Sequence, residues 1–466
     1  MAGAPEPEPA TAEPRQRGVP AVGALLGLPT LAGLTGGYGH ATVRAAVRTV
    51  LAAERRRLAA GSPARAAAAL AAEAVTVVEA AMRPPLRRVV NGTGVVLHTN
   101  LGRAPLSIAA AALVAEVGAG YSSLELDLAT GRRGDRRDLL EVLLCQATGA
   151  EAALVANNGA AALLLALTAC GRGRSVVVSR GEAIEIGGGF RIPEILELSG
   201  ARLVDVGTTN RTRVDDYRRA TTADTAAWLR VHPSNFRTEG FVERPGTAEL
   251  AEAAHAARVL LLVDAGSGLL GPATGPLAQE EAMPAAIAMG ADLVTGSGDK
   301  LLGAGQAGIA AGGAELVDRL AHHPLARALR ADKLQLAALQ ATLLAHLTPG
   351  RAEEIPVLRM LATSQSAVQR RVEGWVAALA GSGLMVEAVE HAATAGGGAT
   401  PGPTLASAAL RIHAAHPQRL RDRLLEADPP VLALTTADAV LVDALTVLPG
   451  EDPAVLTAVR WAAADV

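Results

Sequence analysis

From Val89 onward, short runs of aliphatic and β-branched residues alternate with stretches rich in Ala and Leu. The predicted strands are Ala152–Ala156, Ser175–Ser179, Arg202–Val206, Ala227–His232, Val259–Asp264 and Asp292–Thr295. The helical stretches between them include Asn158–Cys170, Gly189–Ser199 and Thr247–Ala257. Apolar strands that are joined through helices form a mostly parallel sheet covered on both faces. The sequence therefore predicts an α/β fold, in which ligands bind beyond the carboxyl ends of the strands.

The chain on either side of this alternating region has a different character. Before it, residues 18–88 are predicted to be helical, and Pro84-Pro85 marks the boundary. After it, a long predicted helix over Glu353–Leu379 leads into a small α+β domain. The predicted organisation is a flexible tail over 1–17, a helical domain over 18–88, a large domain over 89–345 and a small domain over 346–466.

Composition excludes several classes of protein. Half of the 466 residues are hydrophobic, which is too apolar for a disordered chain. Two cysteines, Cys145 and Cys170, are too few for a disulfide framework or a zinc cluster. No apolar run reaches the roughly 18 residues of a membrane span, and the acidic N-terminus is unlike a secretory signal. We therefore expect a cytoplasmic protein with no metal site and no membrane contact.

Charge is unevenly distributed along the chain. Residues 1–90 contain 11 arginines and no lysine against 6 glutamates, whereas the rest of the chain is acidic. A basic N-terminal region on an acidic body is typical of a separate polyanion-binding module. A solvated helix face accounts for the same charge equally well, so this pattern alone leaves both interpretations open.

Lysine is nearly absent, because Lys300 and Lys333 are the only two among 43 basic residues. Lys300 follows the predicted strand Asp292–Thr295 in a turn of Gly and Ser. Burial there would disfavour the charged ammonium and lower its pKa, leaving a nucleophilic amine suited to a Schiff base. A lysine in a surface turn is the alternative. Lys333 is predicted to be an ordinary surface residue.

A carboxylate and a phosphate cradle accompany this lysine. Asp264 ends an apolar strand, where an unpaired carboxylate is costly, and it could pair with a pyridinium nitrogen or simply cap a turn. Asn158, Gly159 and Ala160 begin a helix directly after a strand, where free amides bind an anion. Ser297 would add a hydroxyl. An Asn-Gly pair before a helix is also a common structural turn.

Six motifs together resemble the bacterial selenocysteine synthase family, the L-seryl-tRNA(Sec) selenium transferases. They are NGTGVVLHTNLGRAPLS, YSSLELDLATGRRGDR, NNGAAALLLAL, SRGEAIEIGGGFRIPEI, VHPSNFRTEGF and GSGDKLLGAGQAGI. The likeness as a whole spans roughly residues 20–340. The resemblance implies a pyridoxal-phosphate fold of the aspartate-aminotransferase type and a ring of dimers. It also implies that residues 18–88 bind tRNA. It makes Lys300 the Schiff-base lysine, Asp264 the pyridinium partner and Asn158–Ala160 the phosphate cradle.

The resemblance implies further site residues. Arg103, Arg327 and Arg330 would bind an anionic selenium donor, with the last two spaced on one helix face. Without the family, a solvated helix face would explain that pair. His232 is predicted to stack on the cofactor ring. His98 and Arg191 lie in matching motifs, and we predict them to contact substrate without assigning a role.

The implied reaction converts seryl-tRNA(Sec) to selenocysteinyl-tRNA(Sec). Water is removed by β-elimination with pyridoxal 5'-phosphate as cofactor, and selenium is added from selenophosphate. Two alternatives remain. The first is a pyridoxal-phosphate lyase acting on a small amino acid or amino sugar acid, against which the basic residues before Pro84 argue. The second is a non-catalytic tRNA-binding protein, against which the intact Lys300 and Asp264 argue.

Overall fold

The structure is a computed structural model that describes residues 19–186, 189–397 and 404–464. The chain divides into two compact units between Arg88 and Val89. The predicted tail over 1–17 lies outside the described residues. The further division predicted at residues 345 and 346 stays a prediction.

The first unit is built from four helices. They are α1 (Val22–Leu26), α2 (Pro29–Tyr38), α3 (His40–Ala59) and α4 (Ala67–Met82). Val43, Val47, Val50 and Leu51 form one apolar face of α3, at the spacing that a helix of 3.6 residues per turn requires. This face packs on the buried side of α4, so the unit has a hydrophobic core of its own.

A buried carboxylate fixes the connection between α3 and α4. The Glu54 side chain is fully buried, and it accepts hydrogen bonds from the Arg65 backbone N–H at 3.0 Å and from Arg65 Nε at 2.7 Å. Arg57 forms a second ion pair with it at 2.8 Å. These donors hold the pKa of Glu54 at about 2, and the Arg65 backbone hydrogen bond contributes most.

The second unit contains a seven-stranded sheet in the order β2-β10-β9-β8-β7-β3-β6. The strands are β2 (Ala152–Ala156), β3 (Ser175–Ser179), β6 (Arg202–Val206), β7 (Thr225–Val231), β8 (Leu260–Asp264), β9 (Leu293–Ser297) and β10 (Gly308–Gly312). Strands β9, β8, β7, β3 and β6 are parallel, whereas β10 runs antiparallel to both of its neighbours. Each predicted strand is present, and β10 is an addition that the sequence did not predict.

Helices cover both faces of this sheet, as predicted. Along β3, Val177 faces one core and its neighbours Val176 and Val178 face the other, as the two-residue period of a strand requires. The helices that contribute to the first core are α6 (Asp138–Thr148), α9 (Val214–Ala220), α10 (Thr247–Ala256), α11 (Met283–Ala288) and α14 (Lys333–Leu347). Those of the second are α7 (Gly159–Gly171), α8 (Ile192–Ser199) and α12 (Ala314–His322).

A five-stranded sheet in the order β1-β13-β14-β12-β11 completes the unit. Its strands are β1 (Val90–Gly92), β11 (Val386–Thr394), β12 (Thr404–His413), β13 (Val431–Thr435) and β14 (Ala439–Asp443). The helices α16 (Gln365–Leu379), α17 (Pro417–Glu426) and α18 (Asp452–Ala463) contribute to its core. The first strand therefore pairs with strands from the far end of the chain.

The remaining elements are short or lie at the edges. They are the helices α5 (Ile108–Ala119), α13 (Pro324–Ala328) and α15 (Pro356–Ala362), and the hairpin of β4 (Glu185–Ile186) and β5 (Phe190–Arg191). The predicted single helix over Glu353–Leu379 is wrong, because α15 ends at Ala362 and Ser364 caps a new helix, accepting a hydrogen bond from the Ala367 N–H at 3.3 Å. None of the helices in the described ranges is long and apolar enough to cross a membrane.

We predict that Glu54→Gln loosens the first unit at neutral pH. The folded-state pKa of about 2 lies below the ordinary value of 4.5, so the carboxylate stabilises the fold above pH 4.5. That stabilisation is lost as the pH falls toward 2. Hydrogen exchange of the α3 and α4 amides in the full chain should be about tenfold faster at pH 7. The difference between variant and wild type should shrink at pH 4.

Glu73→Gln is the matched control, since Glu73 pairs with the same Arg65 but is 38% exposed. Its effect should be smaller. Equal exchange rates for Glu54→Gln and wild type at pH 7 would contradict the stabilising role of the buried carboxylate.

Candidate active site

Lys300 lies at the carboxyl end of the large sheet. It follows β9 by three residues and is only 6% exposed, so it is not a surface-turn lysine. Burial lowers the pKa of its ammonium, with a further lowering by Arg103, while the Asp264 carboxylate opposes the shift. At a given pH, a larger fraction of Lys300 is therefore neutral than of a solvent-exposed lysine. The neutral amine is the form that reacts with an aldehyde or accepts a proton.

Asp264 ends the adjacent parallel strand β8. Its Oδ1 accepts hydrogen bonds from Thr295 Oγ1 at 2.9 Å and from the Gly266 N–H at 3.3 Å. Thr295 stands directly opposite on β9, so the strand register orients the carboxylate. Among the described residues no group donates to Oδ2, and Asp264 lines a cavity of about 570 Å³. That oxygen is available to a cationic ligand.

The predicted phosphate cradle lies at the start of α7. Asn158 Oδ1 accepts a hydrogen bond from the Ala161 N–H at 2.9 Å, so this side chain caps the helix. The N–H groups of Gly159 and Ala160 have no partner within the helix and remain for an anion. A Cβ at Gly159 would collide with the Ser297 hydroxyl, which places Ser297 beside the helix start. The cradle is thus two amides and one hydroxyl.

Two buried polar atoms near these segments have no hydrogen-bond partner among the described residues. Among the described residues, buried atoms without a hydrogen-bond partner include Asn157 Oδ1, beside the cradle, and Ser267 Oγ. The Ser267 carbonyl accepts the Leu301 N–H at 2.9 Å, so this serine adjoins the lysine turn. Buried unpaired polar atoms are rare and need a partner. Together with the cradle, the amine and the carboxylate, they fit a phosphate-bearing aldehyde such as pyridoxal 5'-phosphate.

Arg103 and His98 share a turn that meets the lysine segment. Arg103 has a backbone φ of +63°, and its N–H donates to the His98 carbonyl at 3.0 Å. Its guanidinium forms an ion pair with Asp299 at 2.6 Å, immediately before Lys300. Arg103 Nε and His98 Nδ1 are both buried without a partner in the described part of the chain. The structure thus brings Arg103 to the lysine turn, as a substrate contact requires.

Arg327 and Arg330 line one cavity of about 540 Å³, but they do not share a helix face. That prediction is wrong, because α13 ends at Ala328 and Arg330 lies in an extended segment that bridges to Ala156. The Leu329 carbonyl accepts the Asn157 N–H at 2.7 Å, which holds this segment beside the phosphate cradle.

Sequence reasoning missed three arginines of the same cavity, Arg133, Arg136 and Arg137. Glu125 organises the cluster, since it accepts from Arg133 and Arg136 at 3.0 Å and lies 3.5 Å from Arg330. The available signal was the run GRRGDR in the quoted motif, which contains Arg133 and Arg136 and directly precedes Arg137. A cavity rich in guanidinium groups suits a phosphate-like anion.

The remaining predicted residues divide between the site and the surface. His232 follows β7, and its backbone N–H donates to the Asp264 carbonyl at 3.0 Å, so it adjoins the site. Arg191 is 55% exposed and forms ion pairs with Glu185 and Glu194, and no described contact joins it to Lys300.

Lys333 is not an ordinary surface residue, so that prediction is wrong. Its Nζ donates to the carbonyls of Val117 at 2.9 Å and Gly120 at 2.8 Å. These carbonyls lie at the C-terminal end of α5, where helical carbonyls lack partners. The lysine therefore joins the start of α14 to the end of α5.

Comparison with known proteins assigns both units. The family described as L-seryl-tRNA selenium transferase matches residues 89–448, and selenocysteine synthase N terminal matches residues 17–55. The chain is 41% identical to the L-seryl-tRNA(Sec) selenium transferase of Hyphomonas neptunium, over 96% of this chain and 98% of that protein. It is 47% identical to the Moorella thermoacetica protein of the same name, over 79% of this chain and 80% of that protein.

Among solved structures, the chain is similar to a D-glucosaminate-6-phosphate ammonia-lyase. The TM-score is 0.57 at 20% identity, over 82% of this chain and 99% of that chain. At this identity the likeness concerns the fold alone. The predicted α/β fold, a mostly parallel sheet with helices on both faces, is confirmed, and the solved ammonia-lyase shares it.

We predict that Gly159→Ala destabilises the second unit, because the new Cβ meets the Ser297 hydroxyl. Overpacking of this kind costs about 1–3 kcal/mol. Thermal unfolding of the full chain should show a lower midpoint for Gly159→Ala. The double variant Gly159→Ala/Ser297→Ala should recover most of the loss, since it removes the colliding oxygen. A midpoint for Gly159→Ala equal to that of wild type would contradict the close approach.

Proposed function

Because the chain belongs to the L-seryl-tRNA selenium transferase family, we propose that this transferase converts seryl-tRNA(Sec) to selenocysteinyl-tRNA(Sec) with selenophosphate as donor and pyridoxal 5'-phosphate as cofactor. The observation that carries the proposal is the burial of Lys300, whose pKa is influenced by both Asp264 and Arg103, in a chain whose residues 17–55 also match the family.

Three groups of this chain would hold the cofactor. The N–H groups of Gly159 and Ala160 and the Ser297 hydroxyl would bind its phosphate, and Lys300 would bind its aldehyde carbon. Asp264, whose Oδ2 is available, would keep the ring nitrogen protonated. When bound, the cofactor withdraws electrons from the Cα of an amino acid, which makes that carbon acidic.

Lys300 would also move the proton of the reaction. Burial favours its neutral amine, which can accept the Cα proton of the seryl group. Lys300 would return this proton to the seryl hydroxyl, which would leave as water by β-elimination and create a Cα–Cβ double bond. Selenophosphate would add to Cβ through its selenium, and hydrolysis of the selenium–phosphorus bond would release phosphate. Asp299 directly precedes Lys300 and forms an ion pair with Arg103 at 2.6 Å. This ion pair would hold the Arg103 guanidinium at the lysine turn.

The arginine cavity supports an anionic selenium donor. Arg327 and Arg330 line it together with Arg133, Arg136 and Arg137, and its acidic lining residues are Glu125 and Asp135. The excess of positive charge favours a small oxyanion such as selenophosphate, which guanidinium groups bind through paired hydrogen bonds.

A stripe of exposed arginines on α3 supports tRNA binding by the first unit. Arg44, Arg48 and Arg55 are exposed, and their spacing of four and seven residues places them on one side of the helix. Arginines aligned along a helix contact successive phosphates of a nucleic acid and release its counterions.

Two further properties belong to the proposal. Exposed apolar side chains near α5 and α6, including Ile108, Tyr121, Leu128 and Val142, support a homo-oligomer, for which we propose a ring of dimers. We also propose a cytoplasmic location. The alternative, a lyase of small amino acids or amino sugar acids, would need no tRNA, and the match of residues 17–55 to the family described as selenocysteine synthase N terminal argues against it.

We predict that Lys300→Ala lowers the rate of selenocysteinyl-tRNA formation by about 10³-fold, since no amine remains to accept the proton. The variant should also release the cofactor on dialysis, measured by its absorbance. Lys333→Ala is the matched control, because it removes the other lysine of the chain and should keep both the cofactor and activity. Full activity of Lys300→Ala would exclude the proposed mechanism.

We predict that the triple variant Arg44→Ala/Arg48→Ala/Arg55→Ala binds tRNA more weakly. The slope of log affinity against log salt should fall by about 2 to 3, as expected for three lost phosphate contacts. Arg56→Ala, on another side of α3, should change the slope less. The measurement is a binding titration with selenocysteine tRNA against a serine tRNA competitor. Wild-type protein that shows no selectivity would favour the lyase.

A further inference from the structure

His232 is held by two neighbours that the family resemblance did not indicate. Its side chain is 8% exposed, and its Nε2 lies 2.9 Å from Glu280 Oε2, a carboxylate that is itself 2% exposed. On the other side of the ring, the Ser234 backbone N–H donates to Nδ1 at 3.0 Å. Both ring nitrogens are therefore engaged.

The donor at Nδ1 determines where the proton of the imidazole lies. A backbone N–H can only donate, so Nδ1 must accept and carries no hydrogen. The proton is consequently on Nε2, where it is donated to Glu280. The Ser234 hydroxyl donates to the His232 carbonyl at 3.2 Å, which leaves the backbone N–H as the donor to the ring.

Backbone strain supports this arrangement. Ser234 has a φ of +56°, a left-handed conformation that is unfavourable for a residue with a Cβ. This conformation directs its N–H at the imidazole. Gly266 packs against another side of the His232 side chain, since a Cβ added to Gly266 would lie 3.1 Å from His232 Cβ and 3.3 Å from His232 Nδ1. These contacts favour one orientation of the ring, with its proton on Nε2.

We infer that Glu280 is a positioning residue, which acts with Ser234 to fix the His232 imidazole in the cavity that Asp264 also lines, where the imidazole would stack on the planar ring of the cofactor. This inference rests on the proposed function for the identity of that ring. Glu280 acts through the hydrogen bond that it accepts from His232 Nε2. The neighbouring Glu281 does not take part, since it forms an ion pair with Arg230 at 3.2 Å. A fixed imidazole loses no rotational freedom when an aromatic ligand stacks on it.

The first test uses the protein without cofactor. Diethyl pyrocarbonate modifies unprotonated imidazole nitrogens, and peptide mass spectrometry gives the rate at each histidine. His232 should react much more slowly than His322, whose side chain is 77% exposed. In Glu280→Ala the rate at His232 should rise about tenfold, whereas in Glu280→Gln it should stay near wild type, because the amide oxygen still accepts from Nε2.

The second test measures binding of pyridoxal 5'-phosphate to the same proteins by absorbance. Glu280→Ala should raise the dissociation constant about tenfold, and Glu280→Gln should stay within about threefold of wild type. Glu280→Asp keeps the charge but shortens the side chain by one methylene, so it should bind as weakly as Glu280→Ala. Glu281→Gln is the control for removing a neighbouring charge and should bind like wild type.

Two results would overturn the inference. One is wild-type affinity and modification rate in Glu280→Ala, which would mean that the hydrogen bond positions nothing. The other is strong binding by Glu280→Asp with weak binding by Glu280→Gln, which would mean that charge and not the hydrogen bond matters. If wild-type protein bound no pyridoxal 5'-phosphate, the proposed function would fail, while the modification rates would still report the fixed imidazole.

Discussion

The pairing of β7, β8 and β9 in parallel is the constraint on which the candidate site depends. Because the three strands run the same way, their carboxyl ends meet at one edge of the sheet. That edge brings together His232, Asp264 and Lys300, which are separated in sequence by more than thirty residues each. The register alone places Thr295 opposite Asp264 and so orients the carboxylate. Apolar strands buried on both faces keep this edge rigid.

The chemistry of the site follows from the exclusion of water at that edge of the sheet. Lys300 is buried where water cannot stabilise an ammonium, and opposite charges from Asp264 and Asp299 limit how far its pKa falls. The proposed phosphate cradle would need no cation, because helix amides and a hydroxyl can bind a phosphate. Arginines then concentrate in a separate cavity next to the cradle, joined to it by the backbone contact of Leu329 with Asn157. The cofactor and the donor that we propose would thus occupy adjoining sites of different chemistry.

The sequence predicted those features of the fold and of the candidate site that depend on a local pattern of residues. Continuous apolar runs identified the parallel strands, and scarcity of lysine identified Lys300. It did not predict β10, because Gly308–Gly312 holds small residues without the β-branched run typical of a strand. It misplaced Arg330, because an extended segment after a five-residue helix has no periodic signal. The role of Lys333 depends on carbonyls more than 200 residues away, which no local pattern reveals.

The place of β1 in the five-stranded sheet has a consequence for how the chain is made. Val90 pairs with Val431, so this sheet cannot close until nearly the whole polypeptide has left the ribosome. The first unit has its own core within residues 19–88 and has no such requirement. During synthesis, the first unit can therefore fold early, whereas β1 of the second unit stays unpaired until β13 has been made. Chains that terminate before β13 would expose that strand as a target for quality control.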